Sequence, residues 1–231
     1  MTDPVHIKPT AELASRVLLP GDPGRALLLA QTFLSGAAMF NHNRGLWGYT
    51  GQAADGQPVT VQSTGMGGPS AAIVVSELAD LGATRFLRVG TCGALASELK
   101  LGDLVIATEA LAGDGTSREL GAGERVSPDS GLLDSLLALE EPDVTPGAVV
   151  STDLFYDDRP GQEAQWRQAG AVAVDMETAA LLILAQRRAL HAASLLLVSD
   201  VFIPERVRIE AAALQAGERR LGELALLALG V

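Results

Sequence analysis

Residues 84–105 read TRFLRVGTCGALASELKLGDLV. Phe86, Leu87 and Val89 form a short apolar run that stops at Gly90, and a second run starts at Leu104. Runs this short, rich in large apolar residues and closed by glycine, read as buried strands of a sheet. Between them, Gly90-Thr91-Cys92-Gly93-Ala94 reads as a loop just past a strand end, where an open α/β sheet places its ligands. Glycine lets backbone N–H groups come close to an anion, and Thr91 adds a hydroxyl. Arg88 lies inside the first run, where a charge is costly without a partner. At this point two partners stand open: a bound anion, or a carboxylate such as Asp103.

A length of 231 residues suits one α/β domain. With 48% hydrophobic and 19% charged residues the chain can fill a large core, which argues against disorder. The net charge of −11 argues against nucleic acid as a partner, so an anion site has to be a local cluster of arginines in an acidic protein. The single cysteine, Cys92, excludes an intrachain disulfide and a multi-cysteine zinc site, and fits a reducing cytoplasm. The first ten residues, MTDPVHIKPT, hold no apolar signal segment. No apolar run approaches the ~20 residues of a membrane span, so a soluble intracellular protein is expected.

Outward from the central stretch, the chain repeats one pattern. Residues 16–20 begin a strand that runs into Gly21-Asp22-Pro23-Gly24-Arg25 and a helix, with Pro23 in the first turn. The N-terminus of a helix is an anion site, and Arg25 there opposes the helix dipole, so it binds an anion or pairs with Asp22. Residues 45–63 read as a hairpin turning at Asp55-Gly56, with Arg44 just before it. Its second strand enters Thr64-Gly65-Met66-Gly67-Gly68-Pro69-Ser70 and a helix that buries Val74, Leu78 and Leu81. Residues 111–131 read as a loop and 129–139 as a short helix. Residues 148–150 begin a strand ending before Phe155 and Tyr156, in a chain with only 4% aromatics. Residues 171–174 form a strand leading into Asp175-Met176-Glu177 and an apolar, central helix. Residues 192–198 form a buried strand ending in Ser199-Asp200, and 210–229 close the chain as an amphipathic helix. Five strand ends thus carry glycine or polar groups, and a mostly parallel sheet gathers such ends at one edge.

Seven stretches carry a resemblance: LPGDPGRA (19–26), NRGLWGYTG (43–51), TGMGGPS (64–70), RVGTCGA (88–94), DLFY (153–156), VDMET (174–178) and VSD (198–200). They closely resemble the nucleoside phosphorylase family of the bacterial purine nucleoside phosphorylase and uridine phosphorylase type, in the family's order and over nearly the whole chain. The resemblance implies one domain over residues 1–231, a three-layer αβα fold with a mixed, mostly parallel central sheet. It implies a cytoplasmic homohexamer, a trimer of dimers, that needs no metal or organic cofactor and uses phosphate as co-substrate. The implied reaction turns a nucleoside and phosphate into free base and ribose 1-phosphate. By position, Gly21, Arg25, Arg88 and Thr91 would bind phosphate, joined by Arg44 from a neighbouring subunit. Glu177 would hold the ribose hydroxyls, with Met66 and Met176 against the sugar, and His6 of the neighbour would meet the 5′-hydroxyl. Phe155 would pack on the base beside Ser199, and Asp200 would act on it as an acid.

That list agrees with the chemistry. Breaking the glycosidic bond leaves an oxocarbenium-like sugar, which a phosphate held by arginines stabilises and attacks. A leaving purine takes a proton at N7, so Asp200 has to be kept protonated by burial or a shared proton. Cys92 reads as a small buried residue, Asp175 receives no role, and Arg206, Arg208 and Arg219 are all open as assistants of Asp200. Gly161-Gln162-Glu163 resembles the base loop of uridine phosphorylases without its arginine, and uridine phosphorylase is the runner-up. A hydrolytic methylthioadenosine-type nucleosidase has no need of a phosphate clamp, and Arg25, Arg44 and Arg88 together argue against it. A nucleoside-binding protein without turnover has no need of Arg25, Arg88, Glu177 and Asp200 together.

Overall fold

The computed structural model describes residues 4–202 and 205–231. The chain begins with β1 (Arg16–Leu19), α1 (Pro23–Phe33), β2 (Ser35–Asn41), β3 (Gly48–Gln52), β4 (Pro58–Gln62) and α2 (Gly68–Asp80). It continues with β5 (Arg85–Ala94), β6 (Leu104–Ala112), α3 (Gly115–Glu119), β7 (Arg125–Val126), α4 (Ser130–Leu137) and β8 (Val144–Ser151). It ends with α5 (Gln162–Gln168), β9 (Ala171–Asp175), α6 (Thr178–Arg188), β10 (His191–Val201), β11 (Val207–Arg208) and α7 (Ala211–Ala228).

One mixed sheet joins the strands. Five of them close on themselves: β5 pairs with β10, β10 with β6, β6 with β8, β8 with β9, and β9 with β5 again. From β5 the sheet extends as a wing through β1, β4, β3 and β2. The ladders β4–β1–β5–β10 and β6–β8–β9 are parallel.

The alternation of side chains along the strands makes the layers. Leu18, Leu87, Val89, Leu195 and Leu197 face one core with α1, α4 and α7. Val17, Leu19, Phe86 and Ala192 face the other, with α2 and α6. A third cluster of mostly small residues, among them Ala94, Ala107, Val149, Ala173 and Val198, comes from all five strands of the ring. This is the three-layer αβα arrangement that the sequence suggests.

β5 differs from its sequence reading in a way that matters. The segment Gly90-Thr91-Cys92-Gly93-Ala94 is not a loop but the second half of the strand. Its ladder with β10 continues through Leu196↔Gly90, Leu197↔Thr91 and Val198↔Cys92 to Val201↔Ala94. On the opposite edge, β5 pairs with β1 only as far as Arg88 and is taken up by β9 only at Gly93. The sheet therefore splits beside Gly90, Thr91 and Cys92, which opens backbone and side chains to a cleft while the other edge stays paired. On β10 the register slips between Val198 and Asp200, so Ser199 is an extra residue in the strand, a bulge of the kind found beside active sites.

Two smaller readings are also corrected. Residues 111–131 are not one loop: β6 runs on to Ala112, Asp114 caps α3 by accepting the Ser117 N–H at 2.7 Å, and β7 pairs with β6. Leu81, expected on the buried face with Val74 and Leu78, lies at the exposed C-terminal end of α2.

Candidate active site

The five strand ends open on one cleft of about 1590 Å³. Its walls include Gly21, Arg25, Arg44, Met66, Arg88, Thr91, Phe155, Met176, Glu177, Ser199 and Asp200. Every site residue expected from sequence is there except His6. That residue lies outside the cleft, its Nδ1 2.7 Å from Glu77 Oε1 on α2, and its own N–H also donates to Glu77. Arg44 lines the cleft of its own chain and holds a left-handed backbone (φ 58°), an uncommon conformation for a residue with a side chain.

Arg25 and Arg88 are both buried at one end of the cleft. Asp22 does not pair with the Arg25 guanidinium; it caps α1 by accepting the Arg25 backbone N–H at 2.8 Å. The guanidinium instead donates from Nε to Glu218 of α7 (2.8 Å) and from Nη1 to the Val89 carbonyl at the split in the sheet (3.2 Å). Arg88 pairs with two carboxylates, neither of them Asp103. It donates from Nε to Asp175 (3.0 Å) and meets Glu177 through Nη2 (2.5 Å). Gly90 makes that pose possible, because a Cβ there would sit 2.5 Å from the Arg88 guanidinium carbon.

Glu177 is buried and accepts the Gly67 N–H at 2.6 Å. Burial pushes its carboxyl above the ordinary range and the adjacent Asp175 carboxylate adds to this, while the Arg88 guanidinium pulls the other way. Burial also works against the charge on Arg88, but Glu177 and Asp175 outweigh it and the guanidinium stays protonated. Burial drives the Cys92 thiol far up, so Cys92 is an inert thiol beside the cleft and no nucleophile.

At the other end, Asp200 is surrounded by donors. Ser199 Oγ is 2.8 Å from Asp200 Oδ2. Arg206 reaches Oδ1 with Nε (3.2 Å) and Nη2 (3.1 Å), and Arg208 Nε stands 3.3 Å from the same oxygen. The register explains Arg208: β11 runs antiparallel to β10 and sets Arg208 directly opposite Asp200. The Arg206 guanidinium also lies 4.8 Å from the centre of the Phe155 ring and 5.4 Å from that of Phe202. Of the three arginines left open by the sequence, Arg206 and Arg208 meet Asp200, and Arg219 is an exposed residue of α7.

Two buried arginines held at the split in a sheet, with Glu177 beside them and Asp200 across the cleft, form an arrangement that comparison with known proteins can place. Residues 15–228 match the Phosphorylase superfamily. The chain belongs to that superfamily. It is 40% identical over 208 residues to a DeoD-type purine nucleoside phosphorylase of Geobacillus kaustophilus, covering 85% of each chain. It is 39% identical over 198 residues to the DeoD-type purine nucleoside phosphorylase of Alkaliphilus metalliredigens, covering 83% of this chain and 84% of the relative. Among solved structures, uridine phosphorylase from Vibrio fischeri has a TM-score of 0.85 and 28% identity, over 95% of this chain and 92% of that one.

In this phosphorylase-superfamily chain, the sequence reading missed two residues of the site. Asp175 had no role, although it stands two residues before Glu177 at the same strand end, a spacing that hints at a shared pair. Glu218 carried no signal, since it sits in an amphipathic helix 193 residues from its partner Arg25.

Proposed function

We propose that the protein is a cytoplasmic purine nucleoside phosphorylase whose chain forms a single domain, and that it converts purine ribo- or deoxyribonucleosides and phosphate into free base and (deoxy)ribose 1-phosphate. One observation carries the reading: Arg25, Arg88 and Thr91 flank the split in the sheet, with Glu177 beside them and Asp200, gripped by Arg206 and Arg208, across the same cleft. The 40% identity to a DeoD-type purine nucleoside phosphorylase supports it.

Phosphate lies against Gly21, Arg25, Arg44, Arg88 and Thr91, whose charge and hydrogen bonds hold it in line with the anomeric carbon. Glu177 takes the 2′- and 3′-hydroxyls, and Met66 and Met176 line the sugar. As the bond from C1′ to N9 breaks, Asp200 gives a proton to N7 and phosphate oxygen bonds to C1′. The proton that hydrogen phosphate loses on becoming an ester balances the one the base gains. Ser199 and Phe155 frame the base. Phosphate is co-substrate, and the reaction calls for no metal or organic cofactor.

The active form is a homohexamer in which His6 and Arg44 serve a neighbour's cleft. The seat of His6 on Glu77, outside its own cleft, supports this. Uridine phosphorylase is the second reading, favoured by the Vibrio fischeri likeness and by Gln162 and Arg167 of α5 on the outer wall of the cleft. Following adenosine and phosphate by phosphorus NMR tests the proposal. A new sugar 1-phosphate resonance growing in step with adenine release is expected, and adenine release with the inorganic phosphate resonance unchanged would reject phosphorolysis.

A further inference from the structure

Beside Arg88, at the wall of the cleft, lies a carboxylate buried under its own hydrogen bonds. Asp175, the last residue of β9, has a side chain with 0% exposure. Its Oδ1 accepts from Ser151 Oγ at 2.6 Å. Its Oδ2 accepts from Arg88 Nε at 3.0 Å, from the Thr178 N–H at 3.0 Å and from Thr178 Oγ1 at 2.6 Å. The supports are themselves held: Ser151 Oγ accepts the Ala179 N–H at 2.9 Å, and Thr178 Oγ1 lies 3.1 Å from Ser194 Oγ. A carboxylate saturated in this way has no oxygen left for a ligand. What it can do is fix the guanidinium it holds.

Arg88 has two carboxylates to choose between. Asp175 takes Nε and Glu177 takes one Nη, which leaves Nη1 with no protein hydrogen bond among the described residues. Without Asp175, Arg88 is free to turn and give Glu177 the two-pronged pairing that guanidinium and carboxylate prefer. That pairing would occupy Arg88 and Glu177 together.

We propose that Asp175 is a positioning residue: by holding Arg88 Nε, it aims the guanidinium at phosphate and keeps Glu177 from capturing it. The proposal deepens the reading of Arg88 as a phosphate ligand and rests on it.

A double-mutant cycle separates the two. Inorganic phosphate is titrated into the whole protein by calorimetry, and phosphate KM and kcat are measured with saturating nucleoside. Arg88→Ala tests the underlying reading: phosphate binding is expected to weaken at least roughly tenfold, and unchanged binding would remove both the reading and the inference. With that satisfied, Asp175→Asn is expected to raise phosphate Kd and KM about tenfold while kcat at saturating phosphate stays within about threefold. In the Arg88→Ala background the same change is expected to shift phosphate Kd less than about twofold, because no guanidinium remains to be aimed. An equal loss in both backgrounds, or no loss in either, would overturn the proposal and leave Asp175 a part of the buried scaffold. Thr178→Val, which removes one support of Asp175 and leaves both charges, covers a failure of Asp175→Asn to fold. It is expected to raise phosphate KM about two- to fivefold, and a lower melting temperature with unchanged phosphate KM would contradict the proposal.

Discussion

Asp200 sits between a serine and two arginines, at a bulge that makes room for Ser199. It is buried, so the polar groups around it fix its orientation. If it protonates the leaving purine, Asp200→Asn lowers turnover of adenosine by about 10²–10⁴-fold, the usual worth of a general acid, with phosphate affinity nearly unchanged. Steady-state kinetics with adenosine and a phosphate titration check both halves. Turnover within twofold of the unmutated enzyme would remove Asp200 from the chemistry. The place of Asp200 in the cleft was legible in the sequence through VSD at a strand end. Its arginines were only half legible, because their contact depends on β11 folding back in register on β10, and a two-residue strand leaves almost no periodic signal.

Among the elements, β5 does most to build the site. The glycines of RVGTCGA suggested a loop that brings backbone close to an anion. In the fold they serve a strand: Gly90 leaves space for the Arg88 guanidinium, and Gly93 lies under Phe202, whose ring would meet a Cβ at 2.5 Å. Sequence could not separate these uses, since a ten-residue strand with three small residues near its end looks like a strand and a turn. Gly90→Ala is therefore expected to push Arg88 off its carboxylates and raise phosphate KM roughly tenfold or more, with a far smaller effect on nucleoside KM. Equal effects on both constants would contradict the steric account. α2 carries a second device. Glu77 accepts N–H bonds from Val5, His6 and Ile7 and so pins residues 5–7. Burial alone would raise its carboxyl, but the Ile7 and His6 hydrogen bonds hold it below the ordinary 4.5. A carboxyl lowered on folding stabilises fully above its unfolded value and loses that contribution as pH falls through the folded one. The gap in melting temperature between the unmutated protein and Glu77→Gln should then be full and level well above pH 4.5 and close as pH drops below about 4.5. A gap that stays constant would rule the linkage out.

Across the whole molecule, the gathering of five strand ends was readable from apolar runs and the turns that close them, and the αβα layering from the family resemblance. The closed ring of five strands was not, because it depends on β5 and β10 each pairing with more than two strands, which no local pattern encodes. The resemblance assigns Arg44 to a neighbour's site, and in the fold it lines its own cleft. Mixed subunits decide this. If Arg44 serves a neighbour, reassembling Arg44→Ala with Asp200→Asn subunits creates sites in which an intact Asp200 meets an intact Arg44. Activity above that of either variant alone is then expected, whereas an Arg44 acting only at home would give none. The central claim is phosphate-dependent cleavage of purine nucleosides, and the most direct measurement is base release from adenosine, inosine, guanosine and uridine, each with and without phosphate. The account predicts release from purine nucleosides only when phosphate is present. Release without phosphate, or from uridine alone, would contradict it.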